Sequence, residues 1–354
     1  MVSRSVNNWF TQVYSNFVAR TFNMNFYSAS KKKMIPGLGD DSGFGTRKRL
    51  INVRGEKMSV FQRMGGAWLA ATIAFWTPSN AYADDFVSPE ILILGDSQIS
   101  FGSGPAFLDF FTDIKQHCHP NPSQAKNLER LGKMRVGVIG VRSSSIHSWT
   151  SRQGKAKDTI CKEDRKWRVN AGTYGFVNMT DNKYVQIGKG KEYQFCTPRK
   201  SAFEHMFRDG YYDPKLLLLS FLGNSAKRWA ESEEKAVQDV QDMMSQLPPD
   251  MPCIFMTTAP AFSKKIVDLR LKAQKNLMSA FEKTGARCTF VPGATPETVA
   301  ANQGNKHYFR LNSKGMVKDP YHPNQRAAKN FFALEMDGIC NAIFDQIDEA
   351  MEES

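Results

Sequence analysis

Ser97 and His322 are the two residues whose setting most invites chemistry. Ser97 closes an apolar run in the stretch ILILGDSQISFG. A serine in a glycine turn after a buried strand presents its hydroxyl at the carboxyl edge of a sheet, where open α/β folds bind ligands. Far along the chain stands Asp319-Pro320-Tyr321-His322-Pro323-Asn324. A serine hydroxyl is a weak nucleophile until a base takes its proton, and a histidine needs a carboxylate to fix its tautomer. Asp319 and His322, three residues apart, can meet locally and leave the imidazole facing the serine. Each motif also has a bland reading, since a Gly-Asp-Ser turn caps helices often and a histidine near a helix start is readily satisfied by backbone. Their combination is what points to acyl transfer.

Other residues fill supporting roles. Ser220-Phe221-Leu222-Gly223-Asn224 ends a third apolar run, and the Asn224 amide there could reach a developing oxyanion, or simply shape a turn. Val138-Ile139-Gly140-Val141-Arg142-Ser143 offers a backbone N–H from Ser143, with Gly140 as the rival. Arg142 suits an anionic or polyol substrate, or a plain surface. Trp149 and Trp229, each a few residues past a motif, would make a stacking platform for a sugar ring or serve as core. His117 and His119 flank Cys118 without an acidic or thiol partner at ligand spacing, and no CxxC or CxxH pattern occurs. No metal is therefore expected. His147, His205 and His307 read as surface or loop residues.

The elements that must position these groups alternate as a covered parallel sheet requires. Predicted strands are Glu90–Leu94, Met134–Ile139, Lys215–Phe221, Cys253–Thr257 and Arg287–Val291. Predicted helices are Glu231–Gln246, with Ala236, Val237, Val240 and Met243–Met244 inward, and Lys264–Lys283, with Ile266, Leu269, Leu271, Leu277 and Phe281 inward. A last helix runs from Pro323, at its first position, to about Met351 and buries Ala327, Phe331, Leu334 and Ile339. About 65 residues separate the second and third strands, too many for a simple crossover. Within that insertion (about 150–211), Lys166–Val177 and Lys183–Phe195 alternate like short strands. Such an insertion is expected either above the active-site edge, shaping access, or as a structural flap stapled by Cys161–Cys196.

A Gly-Asp-Ser turn after the first strand together with an Asp-x-x-His-Pro-Asn turn before the last helix resembles the SGNH/GDSL hydrolase family. The resemblance covers roughly residues 88–345. It implies a flavodoxin-like three-layer α/β/α fold with a central parallel five-stranded sheet, and cofactor-free hydrolysis of esters or thioesters. Ser97 matches the family's first sequence block and Asp319/His322 the fourth. The third block normally reads Gly-x-Asn; here Gly223 and Asn224 are adjacent, a departure of one residue. The second supplies a glycine N–H, which the usual spacing places at Ser143. The resemblance thus implies an oxyanion hole from the Ser97 and Ser143 amides plus Asn224.

Charge and cysteines bound the setting. The net charge of +12 is concentrated at the front: residues 1–57 hold ten Lys/Arg against three acidic residues, and 36 basic face 32 acidic residues after position 83. Near-neutrality beyond that point argues against nucleic acid as a partner. Residues 58–83 read as a signal peptide, with Arg63, the apolar stretch Gly65–Trp76 and Ala81-Tyr82-Ala83, predicting cleavage after Ala83. That stretch is shorter than the ~20 residues of a membrane span, so no stable span is expected after cleavage; an uncleaved membrane anchor is the rival reading. Residues 1–57 read as a basic extension, disordered or non-native, and residues 84–354 as the hydrolase domain. Six cysteines after the signal suggest disulfides in an exported chain; Cys161–Cys196 and Cys253–Cys288 are the natural pairs.

The expectation is a periplasmic or secreted esterase acting on acyl groups, O-acetyl above all, of a carbohydrate. Its substrate would be a small molecule or a polysaccharide. The alternatives are a lipid esterase or lysophospholipase, a polysaccharide O-acetyltransferase, and an inactive glycan-binding module.

Overall fold

The computed structural model describes residues 89–152, 160–162, 168–169, 173–178, 184–185 and 196–352. The N-terminal extension, the predicted signal peptide and much of the insertion lie outside these residues.

Four strands with unbroken burial come from the apolar runs: β1 (Ile91–Gly95), β2 (Val136–Val141), and, further along, Leu216–Ser220 and Cys253–Met256. Between β2 and the third of these lie two-residue strands β3 (Cys161–Lys162) and β4 (Arg168–Val169), then β5 (Thr173–Asn178) and β6 (Tyr184–Val185). The later strands are therefore β7 (Leu216–Ser220), β8 (Cys253–Met256) and β9 (Thr289–Val291), followed by a hairpin of β10 (Phe309–Leu311) and β11 (Val317–Pro323).

The main sheet runs β6-β5-β2-β1-β7-β8-β9. Its pairings from β2 to β9 are parallel. Counting only the parallel strands, the order 2-1-3-4-5 is that of a flavodoxin-like doubly wound fold, whose switch point falls beside the first strand. β5 joins β2 antiparallel, with Gly137 opposite Val177, and β6 pairs with β5. These parts of the insertion thus widen the sheet at its edge. The expectation that the insertion sits above the active-site edge does not hold for them.

Side chains alternate between the two faces, as a strand requires. Leu92, Leu94, Leu217 and Leu219 enter one core, with Trp149, Trp229 and Phe281. Ile91, Ile93, Leu216 and Leu218 enter the other, with Phe107, Phe111, Phe331 and Ile343. The helices are α1 (Gly104–Thr112), α2 (Ile114–His117), α3 (Ala125–Leu131), α4 (Ile146–Thr150), α5 (Ala226–Glu231), α6 (Glu233–Gln246), α7 (Lys264–Thr284), α8 (Pro296–Asn302) and α9 (Gln325–Glu352). α1 and α9 cover the second face; α4, α5, α6 and α7 cover the first. The result is the three-layer α/β/α architecture.

Three predicted details need correction. Pro323 ends β11 rather than starting α9; the Asn324 side chain accepts from the Ala327 N–H at 3.1 Å and caps the helix instead. Leu334 is 43% exposed, because the buried stripe of α9 runs through Ala328, Phe331, Phe332 and Ile339. In α7 Leu269 and Leu271 are exposed. The buried stripe there passes through Val267, Arg270, Gln274, Leu277 and Phe281.

All six cysteines pair. Cys161–Cys196 and Cys253–Cys288 form as expected, and Cys118–Cys340, 222 residues apart, ties the end of α2 to α9. Among the described residues no helix is long and apolar enough to cross a membrane.

Candidate active site

The chain leaves β1 at Gly95 and turns at Asp96 into a helical segment that starts at Ser97. This places the serine at the carboxyl edge of a central strand, 7% exposed. Its N–H, in the first turn of helical chain, has no partner within the helix and is free to face an anion. The turn presses hard on the sheet. A Cβ at Gly140 would lie 2.7 Å from Ile99 Cγ2 and from the Ser100 nitrogen, and one at Gly95 2.8 Å from the Ser220 carbonyl. Glycine is required at both places for Ile99 and Ser100 to pack where they do.

The base arrives on the β10–β11 hairpin. Arg310 pairs with Asp319 while its neighbour Phe309 pairs with Pro323, so Pro320, Tyr321 and His322 bulge out of the ladder. Bulges of this kind re-aim side chains. Asp319 Oδ1 accepts from the backbone N–H groups of Tyr321 (3.0 Å) and His322 (3.2 Å), which closes the bulge into an Asx turn. Its other oxygen lies 2.7 Å from His322 Nδ1. That contact fixes the proton on Nδ1 and leaves Nε2 as acceptor, 2.9 Å from Ser97 Oγ. A continuous carboxylate–imidazole–hydroxyl relay results.

β2 and β7 flank β1, so the loops after them rise on either side of Ser97. After β2, exposed Ser143 has φ of 60°, a left-handed conformation that favours glycine. After β7, Asn224 is exposed, and its amide donates to the Ser144 carbonyl at 2.9 Å. This bond joins the two loops across the top of β1 and leaves a second amide hydrogen unspent. Gly140 lies inside β2, opposite Gly95 on one side and Tyr174 on the other. It belongs to the ladder and to the packing of Ile99, which leaves Ser143 as the candidate loop amide. Arg142, beside it, is exposed.

The two tryptophans are a correction. Trp149 and Trp229 are both 0% exposed, so neither can stack on a sugar. Trp149 packs among Phe203 and Phe221, and Trp229 Nε1 donates to buried Asp239 at 2.8 Å. They follow the motifs closely because the helices that carry them fold straight back onto the sheet. Among the described residues no group of histidine, cysteine and acidic side chains is placed to hold a metal ion; His117 stacks on Phe110.

Two charged residues that the sequence did not single out lie beneath the relay. Asp96 is buried; Oδ1 accepts from the Gln98 N–H at 2.8 Å and Oδ2 from the Gly223 N–H at 3.1 Å. Burial raises its pKa above the ordinary carboxylate value, an effect opposed by these hydrogen bonds and by nearby Arg270. Arg270, on α7, is 3% exposed, and burial lowers its pKa to about 10. A groove opens beside the site, of about 990 Å³, lined among others by Gly223, Lys265, Leu269, Lys272, Pro320 and Tyr321.

No family profile matches the sequence, and no curated protein matches it. Solved structures resemble it in shape at low identity. A DUF4886 family protein from Bacteroides uniformis ATCC 8492 shares 11% identity at a TM-score of 0.39, covering 71% of this chain and 81% of that one. A peptidoglycan O-acetylesterase shares 12% at 0.35, covering 73% and 92%. AlinE4, an SGNH-hydrolase family esterase, shares 13% at 0.30, covering 73% and 97%. The 2-1-3-4-5 order of the parallel strands and their register define the doubly wound fold independently of these likenesses.

Proposed function

We propose that the chain is a serine esterase that cleaves acyl esters by way of an acyl-enzyme. The observation that carries this reading is the relay from Asp319 through His322 to Ser97: a 2.7 Å contact between Asp319 and His322, and one of 2.9 Å between His322 and Ser97, 225 residues apart in sequence. His322 takes the Ser97 proton as Oγ attacks the ester carbonyl. The oxyanion forms between the Ser97 and Ser143 amides and the Asn224 side chain. His322 then returns the proton to the leaving alcohol and activates water for deacylation.

The acyl group is small and the alcohol is a carbohydrate in this reading, with O-acetyl esters as the leading class. Ser97 is recessed while the groove beside it is open and bears half-exposed Tyr321 and the lysines 265 and 272. The exposed Tyr321 ring offers a surface on which a sugar can stack. Three disulfides support an oxidising compartment, periplasmic or extracellular, and with it an export signal in residues 58–83.

Ser97→Ala is expected to abolish turnover of p-nitrophenyl acetate while leaving the thermal transition in place. Undiminished hydrolysis by that variant refutes the mechanism. A panel of acetylated sugars against acyl esters of rising chain length tests the substrate class; preference for long chains would move the assignment to a lipid esterase.

A further inference from the structure

The nucleophile and its base sit on separate pieces of chain. Ser97 belongs to the central sheet, whereas His322 belongs to a bulge in a two-stranded hairpin that the main sheet does not include. Something must hold that bulge against the end of β1. Phe262 N–H donates to the Pro320 carbonyl at 2.9 Å, but this holds the chain two residues before the base.

Arg270 reaches closer to the base. Its Nη2 donates to the carbonyl of Tyr321, the residue before His322, at 3.1 Å, and its Nη1 to the Ala259 carbonyl at 3.2 Å. With its amide oriented to suit the surrounding donors, Gln98, the residue after Ser97, turns the oxygen to the same guanidinium. It accepts from Nη1 at 2.8 Å and Nη2 at 3.2 Å, and from the Thr258 hydroxyl at 3.2 Å. The opposite amide orientation would set NH₂ against guanidinium donors. The guanidinium thus binds the residue next to the nucleophile and the residue next to the base. It also sits close to Asp96: a Cβ on Gly223 would lie 3.3 Å from both Arg270 Nη2 and Asp96 Oδ2.

A buried cation in an apolar stripe of α7 is costly, and Leu or Met would fill the space without that cost. The geometry points to Arg270 as a positioning residue for the proposed reaction: its planar fork sets the distance between His322 Nε2 and Ser97 Oγ by clamping the turns that carry them. Lysine cannot reproduce this, because one ammonium presents no fixed fork. The inference rests on the esterase reading, and its test separates the two.

The full chain is compared with Arg270→Met and Arg270→Lys, using p-nitrophenyl acetate and scaling kcat to the sites titrated by a fluorophosphonate. A displacement of about 1 Å at a reacting pair can cost on the order of 100-fold. Arg270→Met is therefore expected to lose about 10- to 100-fold in kcat per titrated site with KM within about twofold, and Arg270→Lys to recover part of the loss. A merely structural role would lower the number of titrated sites and leave kcat per site unchanged; that result overturns the inference. Should the wild-type chain show no Ser97-dependent turnover, the esterase reading falls, and crystal structures of the variants decide the positioning claim. A Ser97–His322 contact kept at its wild-type length in Arg270→Met overturns it, and a lengthened one upholds it. If the Met variant does not fold, the Lys variant carries both measurements, and wild-type kcat with an unchanged contact overturns the claim.

Discussion

Asp319 does two jobs with two oxygens. One closes the turn through the Tyr321 and His322 amides, and the other holds the imidazole. Asp319→Asn separates them: the amide oxygen can still accept from the backbone, so the turn survives. The NH₂ group facing Nδ1 is a donor, which drives the imidazole proton to Nε2 and removes the base from Ser97. The expected result is a kcat lower by about 10⁴ with an unaltered unfolding midpoint, since the comparable change in serine proteases acts through the tautomer. A loss of under about tenfold would show that His322 keeps its tautomer without the carboxylate.

At the scale of elements, the loop after β2 is where a side chain stands in for a glycine. Ser143 at φ 60° contributes its backbone to the proposed site. Ser143→Gly is therefore expected to keep kcat within about twofold. Stability should stay within about 1 kcal/mol, relief of left-handed strain offsetting the added freedom of the unfolded chain. Steady-state kinetics and urea unfolding check both, and a large fall in kcat would mean the hydroxyl itself takes part. The strands that carry this loop and its neighbours were legible in sequence, because a strand covered on both faces is an unbroken apolar run. The two end motifs were legible for the same reason: they sit where such a run stops or a long helix starts. Other features were not. The sheet edge gained β5 and β6 because the alternation in the insertion shows strands but not their partner. The bulge at residues 320–322 leaves no periodic trace. In α7 the apolar side chains at 266, 269 and 271 drew the inward face one step aside, which hid Arg270 within the true stripe. Trp149 and Trp229 looked like ligand platforms only because sequence proximity to a motif says nothing about which face of a short helix turns to the core.

For the molecule as a whole, buried Asp96 and Arg270 make stability depend on pH. The folded-state pKa of Asp96 is raised, so the fold favours its protonated form. Its contribution to stability is present below the unfolded value of 3.8 and is lost as pH rises through the folded value. Arg270 behaves in the opposite sense: its folded value of about 10 lies below the ordinary guanidinium value, so its charged form weighs against the fold at neutral pH and that burden lifts only as pH rises above about 10. The two charges relieve each other, since Arg270 is among the groups that lower the Asp96 pKa. Removing the cation in Arg270→Met should raise the Asp96 pKa further, since the nearby positive charge is one of the groups that holds it down. The variant's loss of stability relative to wild type is therefore expected to grow with pH over the range above 3.8 in which Asp96 gives up its proton. Urea titrations of both proteins across that range measure it directly. A stability difference that stays flat with pH would mean that Asp96 does not feel the guanidinium, and that the two charges are neighbours without being coupled.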